Sequence, residues 1–211
     1  ILPADTAWNE GGAIAAPLPV PVRPAVAPDT LRAIAQVLRT KEPALLILSG
    51  EALSEAGLIA ANRVAHASGA KLRTPTQVPR MALGRGRAPV DRVPYVVDAA
   101  LKALAGTRHV ILVGAKPPAA FVAYPGTPSL VSPADAITHV LARPEQDAVH
   151  ALEGLADELG APKNTPIPEG GPKPQLARGP FEPSAFASTL AALLPENCIV
   201  AEDAVTSGRA L

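Results

Sequence analysis

The chain has 211 residues, of which 48% are hydrophobic and only 3% aromatic, so it can build a large aliphatic core. Its 19 basic and 19 acidic residues balance, which argues against binding to nucleic acid or to an anionic membrane surface. A single cysteine, Cys198, excludes an intramolecular disulfide and a cysteine-based zinc site. The sequence shows no signal peptide and no apolar run of about 18 residues, which predicts a soluble, cytoplasmic protein.

The first part of the chain reads as a linker, a helix and a strand. Residues 1–28 are rich in proline and have no apolar period, which predicts an extended linker. Asp29 is placed to cap a helix with one apolar stripe. The uninterrupted apolar run at 44–48 is too short for an isolated helix, and it ends at Ser49-Gly50. It therefore predicts a strand that is buried on both faces.

The alternation of helix and strand continues to residue 114. Apolar spacing predicts a helix at 53–69 that ends at a glycine, and a short strand follows at 70–74. Residues 75–93 form a basic, proline-containing loop. A helix at 97–104 then leads into a second apolar run, 110–113, which again stops at a glycine. This order is typical of a βαβ architecture.

Three further elements are expected before residue 160. Residues 121–124 predict a short strand that is stopped by Pro125-Gly126. Ser132, followed by Pro133, has the character of a helix start. The apolar stripe of that helix would be Ile137, Val140 and Leu141. A last helix should end at Gly160.

Composition divides the chain into four parts. After the linker 1–28, residues 29–160 are predicted to form one α/β domain. Residues 161–180 are a second linker rich in proline and glycine. Residues 181–211 contain a helix and the strand Cys198–Ala201, and we interpret them as the truncated start of a second α/β domain. The chain is therefore expected to be a piece of a longer protein.

The fold class that follows is α/β, a three-layer αβα Rossmann-like domain with a parallel sheet. We expect Leu45–Leu48 and Val110–Val113 to be interior neighbours, because both runs are apolar on both faces. Their terminal glycines, Gly50 and Gly114, would then lie at the carboxyl edge of the sheet. Open α/β folds bind ligands at that edge.

Signals for specific chemistry are weak. No G-x-G-x-x-G follows either strong strand, and Lys71–Thr74 lacks the acid expected for a ribose. The Gly-rich element 84–87 reads more readily as a solvated loop than as a phosphate contact. Lys116 is the best-placed cation for an anionic ligand, although an ordinary lysine in a strand-end turn is the favoured interpretation. The four histidines do not cluster in sequence, so structural or exposed roles are expected for them: His66, His109, His139 and His150.

One turn near the end of the chain differs in kind. The segment 202–208 follows the predicted strand Cys198–Ala201 and combines two acids, two hydroxyls and a glycine. Such a turn can offer backbone N–H groups and hydroxyls to a diphosphate. An ordinary capped turn explains it equally well. The candidate cofactor-binding residues are Glu202, Asp203, Thr206 and Ser207.

The order of these parts resembles the middle of a thiamine-diphosphate-dependent enzyme. It is similar to the group of the acetolactate synthase large subunit and benzoylformate decarboxylase. The Glu-Asp-Ala-Val-Thr-Ser-Gly turn carries part of this similarity. Three further segments resemble the acetolactate synthase-like branch: 57–62, 113–117 and 121–126.

The resemblance implies a central domain of the DHS-like NAD/FAD-binding type, flanked by pyrimidine-binding and diphosphate-binding domains. Thiamine diphosphate and magnesium would be bound by the full-length parent, a homodimer or homotetramer acting on 2-oxo acids as a lyase or transferase. The family's cofactor-activating glutamate and its G-D-G…N metal motif lie outside this chain. The loop 88–94 lacks the family's Pro…His-Pro histidine, so no FAD is expected. The isolated chain would bind no cofactor and be inactive, with no nucleic-acid or membrane partner.

A second interpretation belongs to another class of protein. The same α/β pattern would suit an autonomous Rossmann-like module that binds a nucleotide or an acyl-CoA ligand without catalysis. Flanking domains distinguish the two, because only the first interpretation requires them.

Overall fold

The computed structural model describes residues 2–122 and 124–203. Within these residues the chain forms six helices and five strands. The helices are α1 (Ala4–Trp8), α2 (Pro28–Arg39), α3 (Glu55–Ser68), α4 (Val97–Leu104), α5 (Ala148–Glu158) and α6 (Pro183–Leu193). The strands are β1 (Ala44–Leu48), β2 (Lys71–Thr74), β3 (Asp91–Arg92), β4 (His109–Val113) and β5 (Ile137–Ala142). A 3-10 turn, Gly50–Leu53, precedes α3.

The strands form one parallel sheet in the order β3-β2-β1-β4-β5. The prediction that β1 and β4 are interior neighbours is confirmed, since Leu45 lies opposite Val110 and Leu48 opposite Val113. Every residue of both strands is buried. A strand that is apolar on both faces is most stable where other layers cover both of its sides. These two runs therefore occupy the centre of the sheet.

Helices cover both faces of the sheet, so the predicted three-layer αβα class is confirmed. On one face, α2, α3 and α5 pack over Leu46, Leu48, Ile111 and Val113. On the other face, α4 and the segment before β5 pack over Leu45, Ile47, Val110 and Leu112. Successive residues of each strand thus point into different layers, as the period of two requires.

Helix ends follow local sequence, with one correction. Gly69 ends α3 in the left-handed conformation (φ +83°), and Ser54 caps its start by accepting a hydrogen bond from the backbone N–H of Gly57. Asp29 is not the cap of α2. The helix begins one residue earlier, with Pro28 in its first turn and Ala27 at the cap position. Asp29 instead pairs with Arg32 one turn along the helix.

The predicted helix after Ser132 is wrong, because its apolar stripe belongs to the strand β5. Spacing of three and four residues between Ile137, Val140 and Leu141 does not exclude a strand, and the run is rich in β-branched residues. Pairing with β4 decides the outcome, since it satisfies a row of backbone groups that a short helix would leave to solvent.

Three smaller expectations also change. The loop 75–93 contains the two-residue strand β3, and the linker 1–28 contains the short helix α1. Phe121, Val122 and Tyr124 form no strand, and Ala123 lies outside the described residues. The nearest pairing is an isolated antiparallel bridge between Ala119 and Leu130.

The segment after α5 is mostly exposed. The predicted helix is present as α6, but Cys198–Ala201 forms no strand, and Ile199 is 95% exposed. A strand needs a neighbour to receive its hydrogen bonds, and the described residues supply none there. None of the described helices has the length and apolar character needed to cross a bilayer.

Candidate functional site

A crevice opens at the carboxyl edge of the sheet, between the ends of β1 and β4. Its volume is about 250 Å³. The helix that follows β1 and the helix that precedes β4 lie on opposite faces, so this is the point where the winding of the sheet reverses. Ligands of open α/β sheets bind at such a point. The crevice is lined by Arg23, Ser49, Gly50, Glu51, Gly114, Pro144, Gln146 and Ala148.

The crevice floor is backbone, held in place by two glycine turns. Gly50 and Gly114 have φ of +59° and +62°, a region that side chains disfavour. A Cβ at position 114 would also lie 2.9 Å from the carbonyl oxygen of Ser49. The expectation that both strands end in glycine turns at this edge is therefore correct, and Gly114 is required for the close approach of the two turns.

Arg23 closes one side of the crevice. Its Nε lies 3.1 Å from Glu51 Oε1, and its Nη1 donates to the carbonyl oxygen of Pro144 at 2.8 Å. The backbone N–H of Asp147 donates to the carbonyl oxygen of Pro24 at 3.0 Å. The end of the linker 1–28 is thereby fixed across the sheet edge. Sequence reasoning missed Arg23, because nothing in a proline-rich linker indicates what it will lie against.

The crevice is small for a dinucleotide. Its volume is below the range of about 300–1,000 Å³ usual for drug-sized ligands. Thr74 ends β2 where a ribose-binding acid would stand, and its hydroxyl donates to the carbonyl oxygen of Pro75. The arrangement suits a small polar group in contact with Arg23, with the carboxylate of Glu51 limiting the net positive charge.

The other basic candidates lie elsewhere. Lys116 is exposed and does not line the crevice, although it follows Gly114 closely. In the Gly-rich element 84–87, Arg87 forms an ion pair with Glu55 at 2.6 Å, which links the loop to α3.

The predicted cofactor-binding turn is described only at its first two residues. Glu202 and Asp203 are exposed beyond α6 and do not line the crevice. Thr206 and Ser207 lie outside the described residues. Of the four predicted cofactor-binding residues, the structure therefore describes only Glu202 and Asp203.

At the opposite, amino edge of the sheet, two histidines come together. His109 Nδ1 lies 3.0 Å from His139 Nε2, and His109 Nε2 lies 2.8 Å from Glu42 Oε2. Burial lowers the pKa of His139, and the neighbouring His109 lowers it further. His109 is buried, so its structural role agrees with the sequence expectation. The pairing could not be read from the sequence, because the two residues come from different strands.

This histidine pair is not a metal centre. Glu42 contacts the ring nitrogen of His109 that points away from His139, so the three groups do not converge on one point. Within residues 2–122 and 124–203, no group of three or more histidine, cysteine or acidic side chains could hold a metal ion.

Comparison with known proteins gives a consistent result. No family model matches the chain. It is 39% identical over 208 residues to a Mycobacterium tuberculosis protein named "Putative acetolactate synthase large subunit IlvX". The match takes in 99% of this chain but 40% of the relative, so the chain spans about two fifths of that protein's length.

Two solved structures share the fold. One is described as a "putative thiamin diphosphate-dependent enzyme" from Mycobacterium smegmatis, with a TM-score of 0.61 and 18% identity. The match covers 88% of this chain and 39% of that one. The other is the thiamine diphosphate-dependent 4-hydroxybenzoylformate decarboxylase of Rhodococcus jostii RHA1, with a TM-score of 0.59 and 17% identity. Here 93% of this chain and 39% of the decarboxylase are covered.

Proposed function

We propose that this chain, which belongs to the same thiamine-diphosphate-dependent family as these relatives, is the central part of a larger enzyme of that family. Residues 29–160 would be its central domain, 1–28 and 161–180 its linkers, and 181–211 the start of its diphosphate-binding domain. The observation that carries this proposal is that nearly all of this chain matches, in sequence, about two fifths of a longer relative.

The proposed activity of the larger protein is carbon–carbon bond formation or cleavage at a 2-oxo acid, of the acetolactate synthase type. When bound, thiamine diphosphate supplies the electron sink for the carbanion that such a reaction generates. The described residues do not build that site by themselves, since Glu202 and Asp203 are exposed and no group of metal ligands lies within the described ranges.

The chain's own contribution would be structural. Contacts outside the sheet hold the two linkers, one between Arg23 and the carbonyl oxygen of Pro144 and the other between Arg63 on α3 and the carbonyl oxygen of Pro162. Glu202, Asp203, Thr206 and Ser207 would contact the diphosphate, with magnesium, once the remaining domains of the enzyme surround them. We propose that the enzyme is cytoplasmic, and that it uses no FAD, which the small volume of the crevice supports.

A second candidate function is favoured by the crevice itself. A backbone floor at the point where the winding reverses, beside Arg23, suits the phosphate of a nucleotide or acyl-CoA ligand. Against this, Arg23 is already paired with Glu51 and Pro144. Titration of the chain with ADP, coenzyme A and FAD in a calorimeter tests it. We expect no saturable binding, and binding that Arg23→Ala abolishes would favour the module over the enzyme domain.

A chimeric protein tests the first proposal. This chain would replace the matching 208 residues of the Mycobacterium tuberculosis relative, and binding of thiamine diphosphate with magnesium would be compared with that of the unmodified relative. We expect the chimera to bind the cofactor, and the double variant Glu202→Ala, Asp203→Ala to bind it at least about tenfold more weakly.

Glu169→Ala, an exposed acid in the linker 161–180, is the matched control and should leave binding unchanged. Thermal denaturation would first establish that each chimera is folded. A folded chimera that binds no cofactor, where the unmodified relative does, would contradict the proposal.

A further inference from the structure

Three hydrogen-bonded side chains connect separate segments at the amino edge of the sheet. Glu42 lies just before β1, His109 is the first residue of β4, and His139 lies in β5. His109 Nε2 lies 2.8 Å from Glu42 Oε2, and His109 Nδ1 lies 3.0 Å from His139 Nε2. We refer to these three groups as the histidine link.

The rules for donors and acceptors fix where the protons of the neutral histidine link lie. An ionised carboxylate only accepts hydrogen bonds, so His109 Nε2 must carry the proton in the contact with Glu42. A neutral imidazole has one N–H, which leaves His109 Nδ1 as an acceptor. His139 Nε2 must then donate to it. In the neutral pair, both rings therefore carry their proton on Nε2.

One added proton fits this arrangement. If it binds His139 Nδ1, the donation from His139 Nε2 to His109 Nδ1 is kept. If it binds His109 Nδ1, that nitrogen becomes the donor, and His139 Nε2 accepts once its own proton has moved to Nδ1. Either way one N–H lies between the two rings, and the positive charge strengthens the hydrogen bond.

A second added proton does not fit. Both nitrogens of an imidazolium ring are donors, so two protonated rings would point N–H groups at each other across 3.0 Å. The two charges would also lie on neighbouring strands, where like charges oppose pairing. Burial, and then the neighbouring His109, lower the pKa of His139, which agrees with a second proton that binds only in acid.

The surroundings supply no charge that offsets the second proton. The side chains that α2 and α5 bury against this face of the sheet are all apolar. The charged and titratable residues nearby have other partners or are exposed: Asp29 pairs with Arg32, Arg39 donates to the carbonyl oxygen of Glu158, Lys41 donates to that of Ala67, Asp157 pairs with Arg63 and Lys163, Arg108 pairs with Asp135, and His150, Glu153 and Glu158 are exposed.

We propose that the histidine link is a pH-sensitive switch, which holds β5 to β4 at the amino edge of the sheet and opens when both rings are protonated. Its effect should be local. Ile137 lies opposite His109, and its backbone N–H donates to the carbonyl oxygen of Arg108 at 2.8 Å. At the carboxyl end of the same strand pair, the N–H of Gly114 donates to the carbonyl oxygen of Ala142 at 2.8 Å. Only the first of these bonds lies beside the rings.

Nuclear magnetic resonance of the chain labelled with ¹⁵N tests the histidine link without any variant. Scalar coupling between His109 Nδ1 and His139 Nε2 is transmitted only through a hydrogen bond that joins the two nitrogens. We expect this coupling at neutral pH, its persistence when the first proton binds, and its loss when the second one does. A folded chain that lacks the coupling at neutral pH, or that loses it with the first proton, would overturn the proposal.

Amide hydrogen exchange measures the opening itself. As the second proton binds, the protection of the Ile137 amide should fall roughly threefold or more beyond the intrinsic effect of pH, while that of Gly114 should stay the same. His139→Gln should abolish this loss, and His66→Gln, at an exposed site on α3, should retain it.

Three results of the exchange experiment would contradict the proposal. Unchanged protection of Ile137 in acid would show that the histidine link does not hold β5. Equal losses at Ile137 and Gly114 would show that the whole domain opens. A loss that persists in His139→Gln would assign it to another group.

Discussion

Residues 26–161, the α/β body, and the described residues that follow them both contain apolar helices. Only the body buries most of its apolar side chains. All buried apolar side chains of the described residues lie between Val26 and Ala161, with the exception of Ala187. Helix α6 is also rich in apolar residues, yet Phe186 and Leu193 remain exposed. Helix α2 has a sheet to pack against and α6 does not. An amphipathic pattern indicates what a helix can bury, and the presence of a complementary layer decides whether it does.

The largest expected difference between the two regions comes from a pair of glycines. In the body, a Cβ at Gly57 would lie 2.5 Å from the carbonyl oxygen of Ala52, a backbone atom that cannot move aside. Gly57→Ala should therefore lower the free energy of unfolding by about 3 kcal/mol or more. Gly171→Ala, in the following segment, meets nothing within 4 Å and should change it by less than about 0.5 kcal/mol.

Urea denaturation of both variants measures this difference. Equal effects at positions 57 and 171 would show that the following segment is as tightly packed as the body.

A smaller effect is expected where the body holds the start of the second linker. The guanidinium of Arg63 is buried, pairs with Asp157 at 2.6 Å, and donates to the carbonyl oxygens of Pro162 and Ala161. Arg63→Ala removes these charge-assisted bonds and should cost about 2 kcal/mol. Arg63→Lys keeps the charge but not the planar guanidinium. Its free energy of unfolding should lie between that of Arg63→Ala and that of the unchanged protein.

Arg178→Ala is the matched control, because Arg178 is exposed within the second linker. Limited proteolysis should show faster cleavage near residue 162 in Arg63→Ala alone. Unchanged cleavage there would mean that other contacts, such as that of Asn62 with the carbonyl oxygen of Pro166, hold the linker by themselves.

The smallest effect concerns pH and is confined to the body. Because the folded state lowers the pKa of His139, it binds fewer protons than the unfolded chain does near the usual histidine pKa of about 6.5. Stability should therefore fall as pH drops through that value, and the loss should level off below the lowered pKa. His139→Gln should reduce this dependence, whereas His150→Gln, at an exposed site on α5, should leave it as it is.

Urea midpoints between pH 7.5 and 5, taken on dilute protein, measure the effect. A His139→Gln variant with the same pH profile as the unchanged protein would assign the dependence to another group.

Most of the fold could be predicted from local sequence, and the main error shows why the rest could not. The apolar runs of β1 and β4 are too short for helices and too apolar for an edge, so their type and their central place follow from composition alone. Ile137, Val140 and Leu141 fit a helical stripe as well as a strand, and only the neighbouring β4 selects the strand. In the same way, Cys198–Ala201 has the composition of a strand but no neighbour among the described residues.

The sequence by itself determined the layered α/β class, the glycine turns at the carboxyl edge and the resemblance to thiamine-diphosphate-dependent enzymes, because these depend on residues close together in the chain. Only the tertiary structure decided that Arg23 closes the crevice, that His109 meets His139, and that β5 pairs with β4 as the last strand of the described sheet. Each of these depends on residues far apart in sequence that pair through the sheet. Backbone hydrogen bonds and burial fix such pairings, and a one-dimensional pattern does not contain them.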